Sequence, residues 1–144
     1  MANLSITASD VKPGASPSVS SLFKIAAGVS GQITAGTQLV TDADGNVVKA
    51  IATSANLSGS LPGSQLLTAM SAGYAGQSIA CTPTRDILIG ATVAVGTFYY
   101  LSATAGLICL YSDLVTGNYI TQLGWAPLST TIRFNQIITG VTVP

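Results

Sequence analysis

The fold class of this chain is decided by the stretch Gln38-Leu39-Val40-Thr41-Asp42-Ala43-Asp44-Gly45-Asn46-Val47-Val48. Two apolar segments flank a short polar step that contains Asp-Gly, and glycine permits the positive φ that tight hairpin turns require. Asp42 and Asp44 favour a turn as well, because aspartate side chains accept hydrogen bonds from nearby backbone. The stretch therefore predicts a β-hairpin.

A similar stretch follows about sixty residues later, where Gly96-Thr97-Phe98-Tyr99-Tyr100-Leu101 leads through Ser102-Ala103-Thr104-Ala105-Gly106 into Leu107-Ile108-Cys109-Leu110. Both stretches contain Gly-Thr, an apolar strand, an alanine-containing turn that ends in glycine, and an apolar return strand. The spacing from Gly36 to Gly45 is one residue shorter than that from Gly96 to Gly106, so the repeat is approximate. Two copies do not make a solenoid.

The rest of the chain has the same character. Glycine, alanine, valine, serine and threonine dominate, and glutamate is absent. Apolar and polar residues alternate with a period of two in most segments. The last third continues this pattern over residues 119–126, 130–134 and 137–143. We predict an all-β fold, a single small β-sandwich or a partly closed β-barrel. Residues 64–73 are the exception: they fit either one short helix, with Ser64 as N-cap and Gly73 after its end, or a loop followed by an edge strand.

The N-terminal segment predicts an extended arm. Apolar residues and hydroxyls alternate in Leu4-Ser5-Ile6-Thr7-Ala8-Ser9, which is typical of a strand with one dry and one wet face. Lys12-Pro13-Gly14-Ala15-Ser16-Pro17-Ser18 then stops the strand, because proline cannot continue a ladder. We expect an arm and turn-rich connection over residues 1–22 and a sandwich or barrel body over residues 23–144.

Charge is scarce throughout. Only 7% of the 144 residues are charged and the formal net charge is zero, whereas about a quarter of a typical soluble domain is charged. Without clustered lysine and arginine there is no electrostatic reason to expect nucleic-acid binding. We therefore expect much of the surface to be covered by other protein.

A membrane location is the other explanation for a neutral surface. Residues 87–111 carry no charge and are long enough to cross a bilayer. Glycines and threonines interrupt them, however, and no basic cluster flanks them, which argues against a membrane helix. The first residues also lack a basic region followed by an apolar core, so we expect no secretory signal and synthesis in a cytoplasm.

The residue types needed for catalysis are nearly missing. The chain has no histidine, which excludes the usual base near neutral pH. Asp42 and Asp44 are the only close carboxylates, and a turn explains them better than a cation site. Lys49 is best explained as a charge on an edge strand of a hairpin, where it blocks unwanted pairing. Arg85 and Asp86 are best explained as a polar loop after Pro83. We expect no enzyme activity, no cofactor and no metal.

Two further sets of side chains have open interpretations. Cys81 and Cys109 could be bridged, but reduced core cysteines are the more common case in a chain without a signal peptide. Trp125 and Tyr119 could stack on sugar, although packing in a core or a subunit interface is the default for such aromatics. Tyr99 and Tyr100 are adjacent on a strand, so at most one of them belongs to the core.

The residues also resemble a known family. The stretch from Gly96 to Ile108, together with Asp113-Leu114-Val115-Thr116-Gly117-Asn118-Tyr119-Ile120-Thr121-Gln122-Leu123-Gly124-Trp125-Ala126, resembles capsid decoration and head-stabilising proteins of tailed bacteriophages. The stretch from Ala35 to Ala50 is similar to the matching first unit of that family. Together these parts cover about half of the chain.

The resemblance implies a non-enzymatic cement protein, a homotrimer on the outer surface of the virion that joins neighbouring major capsid subunits. It also implies a capsid-binding arm, which here would use Leu4, Ile6 and Ala8 to add a strand to a capsid sheet edge. The alternative is a phage fibre or adhesin module that binds host-surface carbohydrate.

Overall fold

The computed structural model describes residues 3–13, 21–57, 65–83 and 86–144. Eleven strands in these ranges form two antiparallel sheets that pack as a sandwich and do not close into a barrel. The all-β prediction is confirmed, and of its two forms the sandwich is correct.

The first sheet has six strands, in the order β1-β7-β11-β10-β8-β9. Its strands are β1 (Val11–Pro13), β7 (Asp86–Ile89), β8 (Phe98–Leu101), β9 (Ile108–Cys109), β10 (Tyr119–Leu128) and β11 (Thr131–Thr142). The hairpin of β10 and β11 is its longest part. Leu128 lies opposite Thr131, which leaves a two-residue turn between the strands.

The second sheet has five strands, in the order β2-β6-β5-β3-β4. Its strands are β2 (Ser21–Lys24), β3 (Gln38–Thr41), β4 (Val47–Lys49), β5 (Leu66–Ala69) and β6 (Ser78–Thr82). The expected boundary between arm and body falls inside β2. Residues 14–20 of the expected connection lie outside the described residues.

The hairpin that decides the fold has the predicted geometry. β3 and β4 pair from Leu39 opposite Lys49 to Thr41 opposite Val47. Within the turn, Asp42 Oδ1 accepts hydrogen bonds from the backbone N–H groups of Asp44 and Asn46 at 2.9 and 3.0 Å. Gly45 has φ +78°, which only glycine adopts without strain. The turn interpretation of Asp42 and Asp44 is confirmed.

The second hairpin, β8 with β9, occupies the matching place in the other sheet. Each hairpin ends its sheet, with β4 and β9 as the outermost strands. A glycine with positive φ precedes β3, and the same arrangement occurs before four other strands, whereas the sequence indicates only two similar units. Each of these five glycines donates its N–H to a carbonyl of a distant segment. They are Gly36, Gly76, Gly96, Gly106 and Gly117.

The main core lies between the two sheets. It contains Leu101, Leu123 and Ile132 from the six-stranded sheet, and Val40 and Leu66 from the five-stranded sheet. A second cluster covers the other face of the five-stranded sheet with residues that include Ile25, Ile33, Leu39, Leu67 and Ile79. The central strands of this sheet are therefore buried on both faces.

This double burial explains why the helix, one of the two alternatives for residues 64–73, is wrong. Residues 66–69 form β5, all four of whose residues are buried, in the middle of the sheet between β3 and β6. A short apolar run buried on both faces has no period that separates a strand from a buried helix. The alternative of an edge strand is wrong for the same reason, and Ser64 lies outside the described residues.

The N-terminal segment is extended, but the strand expected over residues 4–9 is also wrong. Its backbone donates only two hydrogen bonds to the body, from Leu4 to the Ile108 carbonyl and from Thr7 to the Gly90 carbonyl, both at 2.8 Å. A 3-10 helical turn over Ala8–Asp10 follows and leads into β1. The alternation itself is real, since Leu4, Ile6 and Ala8 are partly buried while the hydroxyl residues between them are exposed.

The uncharged segment 87–111 forms strands β7, β8 and β9 with their connections. No helix among the described residues is long and apolar enough to cross a bilayer.

Candidate partner-binding surface

Four side chains lie in register across the solvent-facing side of the six-stranded sheet. Phe98 of β8 is opposite Trp125 of β10, Trp125 is opposite Arg133 of β11, and Arg133 is opposite Asp86 of β7. Residues paired in this way project from the same face of a sheet. We call these four residues the cross-strand row.

The charges within the row neutralise each other. The Arg133 guanidinium donates from Nε to Asp86 Oδ1 at 2.8 Å and from Nη2 to Oδ2 at 3.1 Å, a bidentate geometry that fixes both side chains. The hydrogen bond from Arg133 lowers the pKa of the Asp86 carboxyl below its usual value, against an opposing effect of burial. The polar loop expected after Pro83 is wrong for Asp86, which is the first residue of β7. Arg85 lies outside the described residues.

The same guanidinium contacts the indole ring. Arg133 Cζ lies 5.4 Å from the centroid of the Trp125 ring, within the range of a cation–π contact. One face of the ring is therefore taken by a group of the protein itself. Phe98, next to it, is 47% exposed, so the row presents aromatic surface and a paired cation to solvent.

Apolar side chains continue this surface towards the tip of the long hairpin. The loop that contains Val95 runs beside the end of β10, since Gly96 N–H donates to the Ala126 carbonyl and Val93 N–H to the Ser129 carbonyl. Val95 and Leu128 are 63% and 61% exposed. The tip is therefore apolar as well as uncharged.

The outer edge of β11 is the second unusual feature. β7 pairs with β11 only at Thr131, Ile132 and Arg133, whereas β11 continues to Thr142. In the part of the chain that the structure describes, no strand pairs with this edge beyond Arg133. One polar contact reaches it, because the Gln136 side-chain amide donates to the Pro83 carbonyl.

Large apolar side chains line this free part of β11. Ile137, Ile138 and Val141 are 49%, 45% and 59% exposed. Ile137 and Ile138 are consecutive and so point to opposite faces of the strand, which means that β11 is open on both faces here. No charged residue follows Arg133 in the sequence. Free edges in soluble proteins are usually blocked by charge, proline or a covering element, and the described structure gives this one none of these.

The N-terminal segment with the three predicted capsid-contact residues runs from β9, at one edge of this sheet, to the end of β7, near the other edge. Leu4 and Ile6 pack against the main core, while Ala8 is partly buried in the 3-10 turn. Ser102 Oγ donates to Asn3 Oδ1 at 2.6 Å and adds a third link to the body. Leu4 and Ile6, two of the three residues expected to meet a capsid, therefore contact their own body.

A cleft of about 530 Å³ lies beside this segment. Its walls come from the N-terminal segment on one side and from the end of β7 on the other, with Ser5, Thr7, Asp10, Lys12 and Gly90 among them. The cleft is shallow and open. Asp10 and Lys12 supply one charge of each sign, so it has no strong preference for an anion or a cation.

The remaining sequence candidates do not come together. Tyr119 is six residues from Trp125 on the same strand, about 20 Å along it, so the two do not form one platform. Tyr99 is buried and its hydroxyl accepts the Ala94 N–H at 3.0 Å, whereas Tyr100 is partly buried and contacts the Tyr111 ring edge-on at 5.4 Å between centroids. Only one of the adjacent tyrosines is thus fully in the core, as the sequence indicates.

Groups that could react or bind metal are equally scattered. Cys81 and Cys109 are buried, unpaired and in different core clusters, and burial raises the pKa of each thiol to about 12. Lys49 ends β4, an edge strand, as expected for a blocking charge. Among the described residues there is no group of three or more potential metal ligands of the Cys, His, Asp and Glu types.

The sequence interpretation missed both the cross-strand row and the free edge of β11. The sequence groups Trp125 with Tyr119 and does not single out Arg133, because the pairing of Trp125 with Arg133 depends on the register of the long hairpin. The signal that could have found the edge is the absence of charge from Phe134 to Pro144.

Comparison of this chain with protein families, with curated proteins and with solved structures found no match. The case for a function therefore depends on the chain's own residues and geometry.

Proposed function

We propose that this chain is a structural virion protein of a tailed bacteriophage. In this proposal it forms a homotrimer, decorates the outer surface of the capsid and joins neighbouring major capsid protein subunits. The observation that carries the proposal is the free, uncharged edge of β11, which leaves three large apolar side chains about half exposed. Such an edge calls for a protein that covers it.

A second copy of this chain is the occupant that we assign to the edge. In a trimer each copy places this edge against a different surface of the next copy, and because no charge follows Arg133, covering the edge buries no unpaired charge. Its backbone groups can extend a sheet across a subunit boundary, and Ile137, Ile138 and Val141 can be buried there. Apolar burial contributes roughly 25 cal/mol per Å², before the cost of association.

The cross-strand row is the surface that we assign to the capsid. Tryptophan and arginine are enriched among the residues that dominate binding energy at interfaces, and here Asp86 holds Arg133 in place over the indole. Because the guanidinium already has its carboxylate partner, covering it with protein does not leave an unpaired charge. The row therefore suits a neutral protein surface.

The chemistry of the described residues supports a role without catalysis. The chain contains no histidine, and both thiols are buried with a pKa of about 12, so neither is a ready nucleophile. Asp42, one of the two closest carboxylates, caps its own turn. None of these groups is arranged for acid–base or nucleophilic work.

The test is to purify intact phage particles from lysates of a host that produces this chain and to quantify the chain by mass spectrometry. We expect copy numbers comparable to those of the major capsid protein. The proposal would be overturned if the chain stayed in the soluble fraction. Binding of the purified chain to a glycan array, lost in Trp125→Ala or Tyr119→Ala, would instead favour the carbohydrate-binding module.

A further inference from the structure

The N-terminal segment is attached to the body by few contacts. Between residues 3 and 10, the backbone donates to the body only from Leu4 and Thr7, and the third link is the hydrogen bond from Ser102 to Asn3. None of the residues Ala8–Asp10 is fully buried. The firm attachment begins at Val11, which is 7% exposed and paired with Ile89.

The surface under the segment is shaped to receive it. Glycines lie where it passes closest: a Cβ on Gly90 would be 2.2 Å from the Thr7 carbonyl oxygen, and one on Gly36 would be 2.9 Å from Ile6 Cγ2. Cavities of about 180 and 100 Å³ remain beside Leu4 and Ile6. The segment therefore contacts the groove closely at Ile6 and Thr7 and packs more loosely around Leu4.

We propose that residues 3–10 form a releasable strap, which is bound to its own body in the free protein and opens at the Ala8–Asp10 turn while the two sheets stay folded. Opening makes Leu4 and Ile6 available to a partner. This use of the strap rests on the proposed function, because the same two residues cannot contact a capsid while they pack on the core. The strap equilibrium itself is a property of the isolated chain.

Two native cysteines make the opening measurable. Cys109 lines the cavity under Leu4 and is 2% exposed, so release of the strap uncovers it. Cys81 is fully buried in the other core cluster, under no part of the strap. Buried thiols react with alkylating reagents only when the covering structure opens. Cys109 therefore reports strap opening and Cys81 reports opening of the sheet.

The experiment measures iodoacetamide labelling in the otherwise full-length Cys81→Ala and Cys109→Ala variants, so that each thiol is followed alone. At low urea we expect Cys109 to react roughly a hundredfold faster than Cys81, at a rate nearly independent of urea, because local opening exposes little surface. If the two thiols were labelled at equal rates, and both rates rose together with urea, the strap would be refuted.

A pair of glycine variants sharpens this result. Gly90→Ala places its Cβ against the Thr7 backbone, whereas Gly31→Ala has nothing within 4 Å; the two glycines have φ of +72° and +73° and so share the same backbone strain. We expect Gly90→Ala to accelerate Cys109 labelling by about tenfold more than Gly31→Ala does. Equal acceleration would contradict the groove. If Gly90→Ala does not fold, the rates in the single-thiol variants decide alone.

The outcome is separable from that of the proposed function. Fast labelling of Cys109 in a chain that is absent from phage particles would keep the strap and overturn the capsid role. Equal labelling of both thiols in a chain found on particles would keep the capsid role and overturn the strap.

Discussion

β10 and β11 approach each other closely at Gly124, where the facing strand leaves no room for a side chain. A Cβ added to Gly124 would lie 2.0 Å from the Arg133 carbonyl oxygen and 2.8 Å from its carbonyl carbon. Both are backbone atoms, so no flexible side chain can move aside. The two strands would have to separate by about 1.5 Å to restore ordinary contact. That shift would disturb the register that places Trp125 opposite Arg133.

We expect Gly124→Ala to lower the free energy of unfolding by about 3 kcal/mol, the upper part of the range for overpacking. With a urea dependence of about 2 kcal/mol per molar, the midpoint falls by roughly 1.5 M. The assay is equilibrium urea unfolding followed by fluorescence of Trp125, the single tryptophan of the chain. Because this residue neighbours the substitution, its native-state emission should change too.

The matched control is Gly28→Ala. Gly28 also lacks a positive φ, and a Cβ there meets nothing within 4 Å, so we expect a change within about 1 kcal/mol, in either direction. If Gly124→Ala unfolded at the same urea concentration as Gly28→Ala, the close approach of the strands would be refuted.

Three further predictions concern the edge of β11 and the cross-strand row. The double variant Ile137→Lys with Val141→Lys should lose about 2 kcal/mol of apolar burial from each contact between copies, which lowers the affinity roughly thirtyfold. Sedimentation should then show dissociation of the assembly. The control Leu22→Lys, in β2 of the other sheet, should sediment like the native chain. Asp86→Asn should flatten the loss of stability on acidification: Arg133 lowers the folded pKa of Asp86, so its contribution is complete above about pH 4 and declines as the pH falls through the folded pKa. Urea midpoints at pH 6 and pH 3 would show this, and an identical decline in both proteins would contradict it. Trp125→Ala should weaken attachment to phage heads in a co-sedimentation assay without changing the mass of the free assembly, and undiminished attachment would remove the row from the capsid contact.

Local chemistry made the hairpins predictable. Asp44-Gly45 between two apolar segments specifies a turn whatever the rest of the chain does, and the structure has that turn with Asp42 as its cap. The all-β fold follows from the same logic, since alternating short strands with one apolar face bury that face in a sandwich or in a barrel. The choice of the sandwich comes from the structure. The two free cysteines were likewise expected from composition and compartment.

The parts that could not be predicted depend on contacts between distant segments. Residues 66–69 look the same in a buried strand and in a buried helix, and only their place between β3 and β6 decides between the two. The cross-strand row depends on an irregular register. Counting equally from the turn between Leu128 and Thr131 would place Trp125 opposite Phe134, but a shift in the ladder places it opposite Arg133. A single sequence contains no sign of that shift.

The same limit applies to the N-terminal segment. Alternation in residues 4–9 correctly marks one side as apolar, but it cannot tell whether that side meets a partner or the chain's own body. Gly36 and Gly90, which the N-terminal segment contacts closely, are far from it in the sequence. They become visible only when the sheets are assembled.

The central claim is that the uncharged edge of β11 is covered by other copies of this chain. The most direct test is the mass of the purified native chain by sedimentation equilibrium at low micromolar concentration. We expect a single species of about three times the 14.5 kDa chain mass. A stable 14.5 kDa monomer would contradict the claim.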